Sequence, residues 1–285
     1  MASECMVGDR IRLRIDDHGV ADVRLWRADK MNALDAAMFH ALIETGERLA
    51  AMGSVRAVVL SGEGRAFCAG LDTSRFGQMA SGGAGAGGGS GPVAGTVGKD
   101  ITFRTHGLAN AAQQAAMVWT QVPVPVIAAV HGVAFGGGLQ VALGADMRYV
   151  TPDAKLCVME IKWGLVPDMG GALLMRTLMR GDVIRDLTYT GRIIDGTEAA
   201  SVGLATRVCA DPYATASAVA REMADRNPHA LRAAKRLLTV ADQGDAAAVL
   251  LAESVEQARL IGSANQREAV RANLEKRAPV FTDPD

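Results

Sequence analysis

The chain has 285 residues, 49% of them hydrophobic, with a formal net charge of −1, so it can bury a sizeable core in one domain or two. The balanced charge, with no basic block, argues against nucleic acid or an anionic membrane surface as a partner. No apolar run approaches transmembrane length. The N-terminal residues resemble neither a signal nor a transit peptide. Four cysteines, Cys5, Cys68, Cys157 and Cys209, lack CxxC or metal-ligand spacing, which suits a reducing, cytoplasmic setting without a metal site.

In chain order, residues 11–15 and 20–25 alternate apolar and polar side chains around Asp16-Asp17-His18-Gly19, a hairpin signal. A loop at 26–32 precedes Asp35, placed to cap a helix running to about residue 52. The apolar run at 57–61 reads as a buried strand, and the strand–helix–strand order indicates an α/β layout with crossover connections. Residues 81–92 are almost wholly Gly, Ala and Ser, a mobile surface loop by composition. No GK[ST] follows them, so a phosphate cradle is a poor fit. Gly62-Glu63-Gly64 lacks the third glycine of a dinucleotide fingerprint.

A helix is expected at 101–119. Pro123 and Pro125 then force an extended approach to the apolar run 126–130, of the kind a strand buried on both faces requires. Three glycines, Gly136, Gly137 and Gly138, lead into a buried helix at 139–145. Short strands follow at 147–150 and around 156–158, a helix at 170–179 and a last strand at 205–208. From residue 213 the pattern is helical, at 214–226, 228–240, 246–262 and 265–277.

The glycines allow two explanations: tight packing, or close approach of another molecule to the backbone at a helix N-terminus. A second strand-then-glycine turn, Ser61-Gly-Glu-Gly-Arg-Ala-Phe-Cys-Ala-Gly-Leu-Asp72, favours the latter. Two turns with free amides can converge on one oxygen, the usual way to stabilise an oxyanion formed from a thioester or ester carbonyl. Cys68 lies beside this turn without a local base, as a small buried packing residue would.

Four segments, Asp29-Lys-Met-Asn-Ala-Leu34, Arg65-Ala-Phe-Cys-Ala-Gly-Leu-Asp72, Gly136-Gly-Gly138 and Glu160 with Gly164-Leu-Val-Pro-Asp-Met-Gly-Gly171, match in order and spacing the crotonase (enoyl-CoA hydratase/isomerase) superfamily. The resemblance spans about residues 11 to 277. It implies a spiral of ββα units at 1–205, with the CoA and acyl site, and a C-terminal helical trimerisation region at 206–285 that builds trimers or dimers of trimers. The implied substrate is a coenzyme A thioester, with no separate cofactor.

By the same resemblance, the backbone amides of Leu71 and Gly137 form the oxyanion hole and Glu160 is the acid/base. The apolar flanks of Glu160 would raise its pKa by desolvation. Gln140 stands where hydratases of the family carry a second glutamate. Glutamine can hydrogen-bond a water but cannot exchange a proton with it. Asp168 stands where several double-bond isomerases have aspartate; the lesser alternative is a cap for the helix entering at Gly170. CoA contacts are expected at Ala28, Lys30, Ala66, Ala69 and Asp72, with Lys276 near the phosphates. His106 and His131 are left out as core histidines. The implied activity is enoyl- or dienoyl-CoA double-bond isomerisation in fatty-acid metabolism. The alternatives are hydration of 2-enoyl-CoA with a Gln140-held water, and a CoA-binding paralogue without chemistry.

Overall fold

The computed structural model describes residues 3–72 and 101–284; the Gly-rich stretch at 81–92 lies outside them. Among the described residues two sheets form. The larger has the order β1-β2-β3-β4-β5-β7-β9, and β6 pairs with β8 in the smaller. Strands β2 (Ile11–Ile15) and β3 (Val20–Leu25) make the expected hairpin. Strand β1 (Ser3–Val7) adds an antiparallel edge beside β2, which the sequence analysis leaves out. Its alternation is real, with Val7 buried and Met6 exposed, but five residues are too few to stand out from the terminus.

From β3 onward the large sheet is parallel through β4 (Ala57–Gly62), β5 (Val126–Val130), β7 (Met147–Val150) and β9 (Arg207–Val208). Strands β4 and β5 are buried along their whole length, because both faces are covered. On one face Val58, Leu60, Val126 and Ala128 join Phe39 of α1 (Ala36–Ala50) and Trp119 of α2 (Ala111–Gln121) in the main core. On the other, Val59, Ile127 and Ala129 meet Ala216, Ala220 and Ala224 of α7 (Pro212–Ala224). Asp35 caps α1 as expected, accepting from the Met38 amide at 2.8 Å.

The helix expected at 101–119 begins only at Ala111. Asn110 and Gln113 form a reciprocal capping box, with bonds of 2.8 and 2.9 Å. Upstream, Gly107 has φ 62°, and Phe103 and Leu108 are exposed, so no apolar face exists for a helix to bury. The central glycines also differ from expectation. After β5 the chain turns at Gly132 and forms the short strand β6 (Val133–Phe135), parallel to β8 (Lys155–Cys157). Helix α3 then covers Gly137–Leu143, so two of the glycines lie inside it.

Helix α4 is confined to Gly171–Met175. Helices α5 (Gly181–Thr190) and α6 (Gly196–Ser201) were not anticipated. Asp195 caps α6 through the Glu198 amide. The remaining helices fall where the pattern puts them: α8 (Pro228–Ala241), α9 (Ala246–Leu260) and α10 (Ala264–Glu275). The molecule is thus a mixed α/β fold with a mainly parallel sheet and C-terminal helices. No helix among the described residues is long and apolar enough to cross a membrane.

Candidate active site

The loop that leaves the carboxyl end of β4 is laced by backbone hydrogen bonds to β6 and the residues just before it. Phe67 donates to the His131 carbonyl (2.9 Å), Cys68 to Val133 (3.0 Å), and Phe135 to Cys68 (3.1 Å). Their glycines permit this contact. A Cβ on Gly70 would fall 2.5 Å from the Phe135 oxygen, and one on Gly138 would fall 2.4 Å from the Cys68 oxygen. Tight packing therefore explains these two glycines. It does not explain Gly136, which sits at φ 49° and whose Cβ would meet Glu160 Oε1 at 3.3 Å.

The lacing brings Leu71 and Gly137 into one neighbourhood, since a Cβ on Gly70 would also lie 3.8 Å from the Gly137 nitrogen. Neither the Leu71 nor the Gly137 amide donates to another described backbone group. A Cβ on Gly137 would reach Leu34 Cδ1 and Met169 Sδ, both at 2.9 Å, so two apolar side chains flank this donor.

Glu160 opens a short 3-10 turn, Glu160–Trp163, and is only 9% exposed. Its Oε1 accepts from Gln140 Nε2 at 2.7 Å. Its Oε2 is buried without a hydrogen-bond partner among the described residues. Burial holds the Glu160 pKa above the usual glutamate value; nearby backbone amides and the Gln140 bond only partly offset this, and the Asp168 carboxylate adds to the rise.

Gln140 is spoken for at both ends. Its Oε1 accepts from the Met169 and Gly171 amides, each at 2.9 Å. Two N–H donors fix which end of the side chain is oxygen, so the Nε2 end faces Glu160. The carbonyl lone pairs are occupied and leave none to orient a water. Sequence reasoning missed this, because the two amides lie 29 and 31 residues downstream of Gln140.

Asp168 does not cap α4. That helix starts from Gly170 at φ 89° without a side-chain cap bond. The Asp168 carboxyl keeps an exposed surface, yet the protein packed around it raises its pKa, chiefly by desolvation.

The turn at Ala28–Lys30 and the loop carrying Ala66, Ala69 and Asp72 lie side by side, the Ala69 amide donating to Met31 O at 2.9 Å. Ala28 and Lys30 lie exposed in a 3-10 turn, and Ala28 abuts Gly64. The Ala66 side chain is wholly buried, and Ala69 is half-buried. Asp72 Oδ2 pairs with Arg27 at 2.7 Å. Lys276 is the left-handed cap of α10, and the tail beyond it runs to Arg56, before β4, where Asp283 pairs with the guanidinium.

Asn32 has a larger role than the sequence suggests. Fully buried at φ 55°, it donates to the carbonyls of Glu63, Ala66 and Phe67 at 2.9–3.1 Å. Its own carbonyl accepts from Cys68 Sγ. Burial pushes the Cys68 thiol pKa up to about 12, which suits a packing residue and not a nucleophile. His131 Nε2 is hydrogen-bonded with the Gly64 oxygen at 2.8 Å. Among the described residues no cluster of His, Cys, Asp and Glu is placed to hold a metal ion.

Comparison with known proteins agrees with this architecture. The family model described as enoyl-CoA hydratase/isomerase matches residues 16–87 and 91–284. Mouse mitochondrial methylglutaconyl-CoA hydratase is 28% identical over 98% of this chain and 86% of its own. Rat mitochondrial Delta(3,5)-Delta(2,4)-dienoyl-CoA isomerase is 32% identical over 76% of this chain and 64% of its own. The crystal structure of an enoyl-CoA hydratase from Bacillus anthracis superposes with a TM-score of 0.81 at 26% identity, covering 95% of this chain and 98% of that one. The chain belongs to the enoyl-CoA hydratase/isomerase family.

Proposed function

We propose that the chain is an acyl-CoA double-bond isomerase in which Glu160 acts as the sole acid/base or shares the task with Asp168. The observation that carries this reading is the asymmetric binding of the Glu160 carboxylate, with Oε1 held by Gln140 and Oε2 buried and unpaired. The Glu160 carboxylate takes a proton from C2 of a 3-enoyl thioester. The negative charge moves to the thioester oxygen, which the Leu71 and Gly137 amides receive. The same carboxyl, or Asp168, then returns a proton to C4, leaving a 2-enoyl thioester. No water is consumed. Each oxyanion donor of this kind is typically worth about 3–4 kcal/mol of transition-state stabilisation.

Hydration is the second reading, favoured by the hydratase names of several relatives. It needs a water held by groups that can exchange its proton, and the Gln140 carbonyl is already engaged twice. A CoA-binding paralogue without chemistry fits poorly with a buried carboxylate that leaves one oxygen unpaired, an arrangement that costs stability. The C-terminal helices support assembly into trimers or dimers of trimers, because α9 has no buried residue within the chain and Leu250 and Leu251 are exposed.

The test is to supply a 3-enoyl-CoA in ¹⁸O-labelled water and follow the products by mass and NMR. An unlabelled 2-enoyl thioester accumulating first supports isomerisation. A 3-enoyl-CoA left unshifted, while the matching 2-enoyl-CoA takes up ¹⁸O as a 3-hydroxy thioester, would overturn it.

A further inference from the structure

Leu71 owes its orientation to its two neighbours. Gly70 O accepts from the Leu34 amide at 2.8 Å, and the Asp72 amide donates to Leu34 O at 3.1 Å. A trans peptide is planar, with its C=O and N–H pointing opposite ways. Fixing the Gly70 carbonyl toward Leu34 therefore aims the Leu71 N–H away from it. On the other side of Leu71, Asp72 is held by its side chain as well as its amide, through the 2.7 Å pair with Arg27.

Arg27 is itself immobilised. Its Nη1 donates to Ala33 O at 3.0 Å, its amide donates to Asn32 Oδ1 at 2.9 Å, and it lies 3.6 Å from Asp35. Arg10 clasps Asp35 in turn, through Nε at 3.1 Å and Nη2 at 2.9 Å. A chain of alternating charges thus runs from the first hairpin to the residue after Leu71. The Arg27 and Asp72 side chains are only 17% and 13% exposed, so this is not a loosely solvated surface pair. A carboxylate so engaged is poorly suited to CoA, since its charge would repel a phosphate.

We propose that Arg27 and Asp72 are positioning residues that aim the Leu71 amide, and that Asp72 makes no contact with CoA. This rests on the reading that the Leu71 and Gly137 amides receive the thioester oxygen. Breaking the pair lets the Leu71 peptide swing, which weakens the hydrogen bond to the carbonyl without touching the CoA moiety.

The experiment uses the full-length enzyme, Asp72→Asn and the milder Arg27→Lys, with hexanoyl-CoA labelled ¹³C at the carbonyl as an unreactive probe. Infrared difference spectra report the carbonyl stretch of the bound thioester, and calorimetry reports the Kd of CoA itself. The wild type should lower the stretch on binding. Both variants should lose most of that lowering, and kcat should fall about tenfold or more, as small misplacements of reacting groups cause. CoA affinity should be unchanged, and Arg27→Lys combined with Asp72→Asn should cost no more than the worse single change. Weaker CoA binding with a normal carbonyl shift and kcat would assign Asp72 to the CoA site and overturn the proposal. So would variants that keep both the shift and kcat. Absence of a shift in the wild type would instead remove the oxyanion reading on which the proposal stands.

Discussion

At the scale of single residues, Glu160 has one oxygen held and the other bare, and its titration follows from that setting. A base must be ionised, so kcat/KM should fall as pH drops through the Glu160 pKa. Burial and Asp168 raise that pKa, placing the midpoint above the ordinary glutamate value of 4.5. Asp168→Asn removes a repelling charge and should move the midpoint down, while Gln140→Glu adds one and should move it up. A pH–rate profile unmoved by either change would contradict the electrostatics. The same shift bears on stability. Glu160 binds its proton more tightly folded than unfolded, so its contribution is complete below the unfolded pKa and is lost as pH rises through the folded one. Glu160→Gln should therefore abolish turnover yet raise the melting temperature at pH 8, with a smaller gain at pH 4. A lower melting temperature at pH 8 would contradict it.

At the scale of elements, the site is two turns joined by backbone, and much of this is legible in the sequence. The apolar runs at 57–61 and 126–130 and the cap at Asp35 rest on local pattern, and all three form as expected. The glycine turns were also visible, but their purposes divide only in three dimensions. Gly70 and Gly138 admit the opposing loop, whereas Gly136 faces Glu160. Asn32, Gln140 and Arg27 act through partners that no local pattern reveals. The late start of α2 could have been read from Asn110-x-x-Gln113, a capping-box spacing. A Cβ on Gly137 presses on the flexible ends of Leu34 and Met169. Gly137→Ala should thus fold, and lower kcat by tenfold or more through displacement of these side chains toward the amide. An enzyme of wild-type kcat would remove Gly137 from the oxyanion pair.

At the scale of the whole molecule, the C-terminal helices are fastened to the core by a buried lysine. Lys235 Nζ donates to Trp119 O, Val124 O and Asp146 Oδ2 at 3.2, 3.0 and 2.8 Å. Desolvation lowers its pKa. Lys235→Ala removes the donor to two backbone carbonyls and to the half-exposed Asp146, and should lower stability by about 1–3 kcal/mol in denaturant unfolding. A negligible change would mean the helices hold by other contacts. The helical pattern after residue 213 was plain from sequence, but this tether was not, since its partners lie 89 to 116 residues away. The exposed leucines of α9 belong to the proposed assembly. Leu250→Asp with Leu251→Asp should reduce the sedimenting mass from three or six chains to one, and a monomeric wild type would contradict that. This family member is proposed to move a double bond more readily than it adds water. That preference is tested most directly by kcat/KM for a 3-enoyl-CoA and for the matching 2-enoyl-CoA, on one preparation of the wild type and of Gln140→Glu. The double-bond shift should be the faster reaction in the wild type, and hydration should rise in Gln140→Glu. Hydration faster by tenfold in the wild type, about 1.4 kcal/mol of transition-state preference, would contradict it.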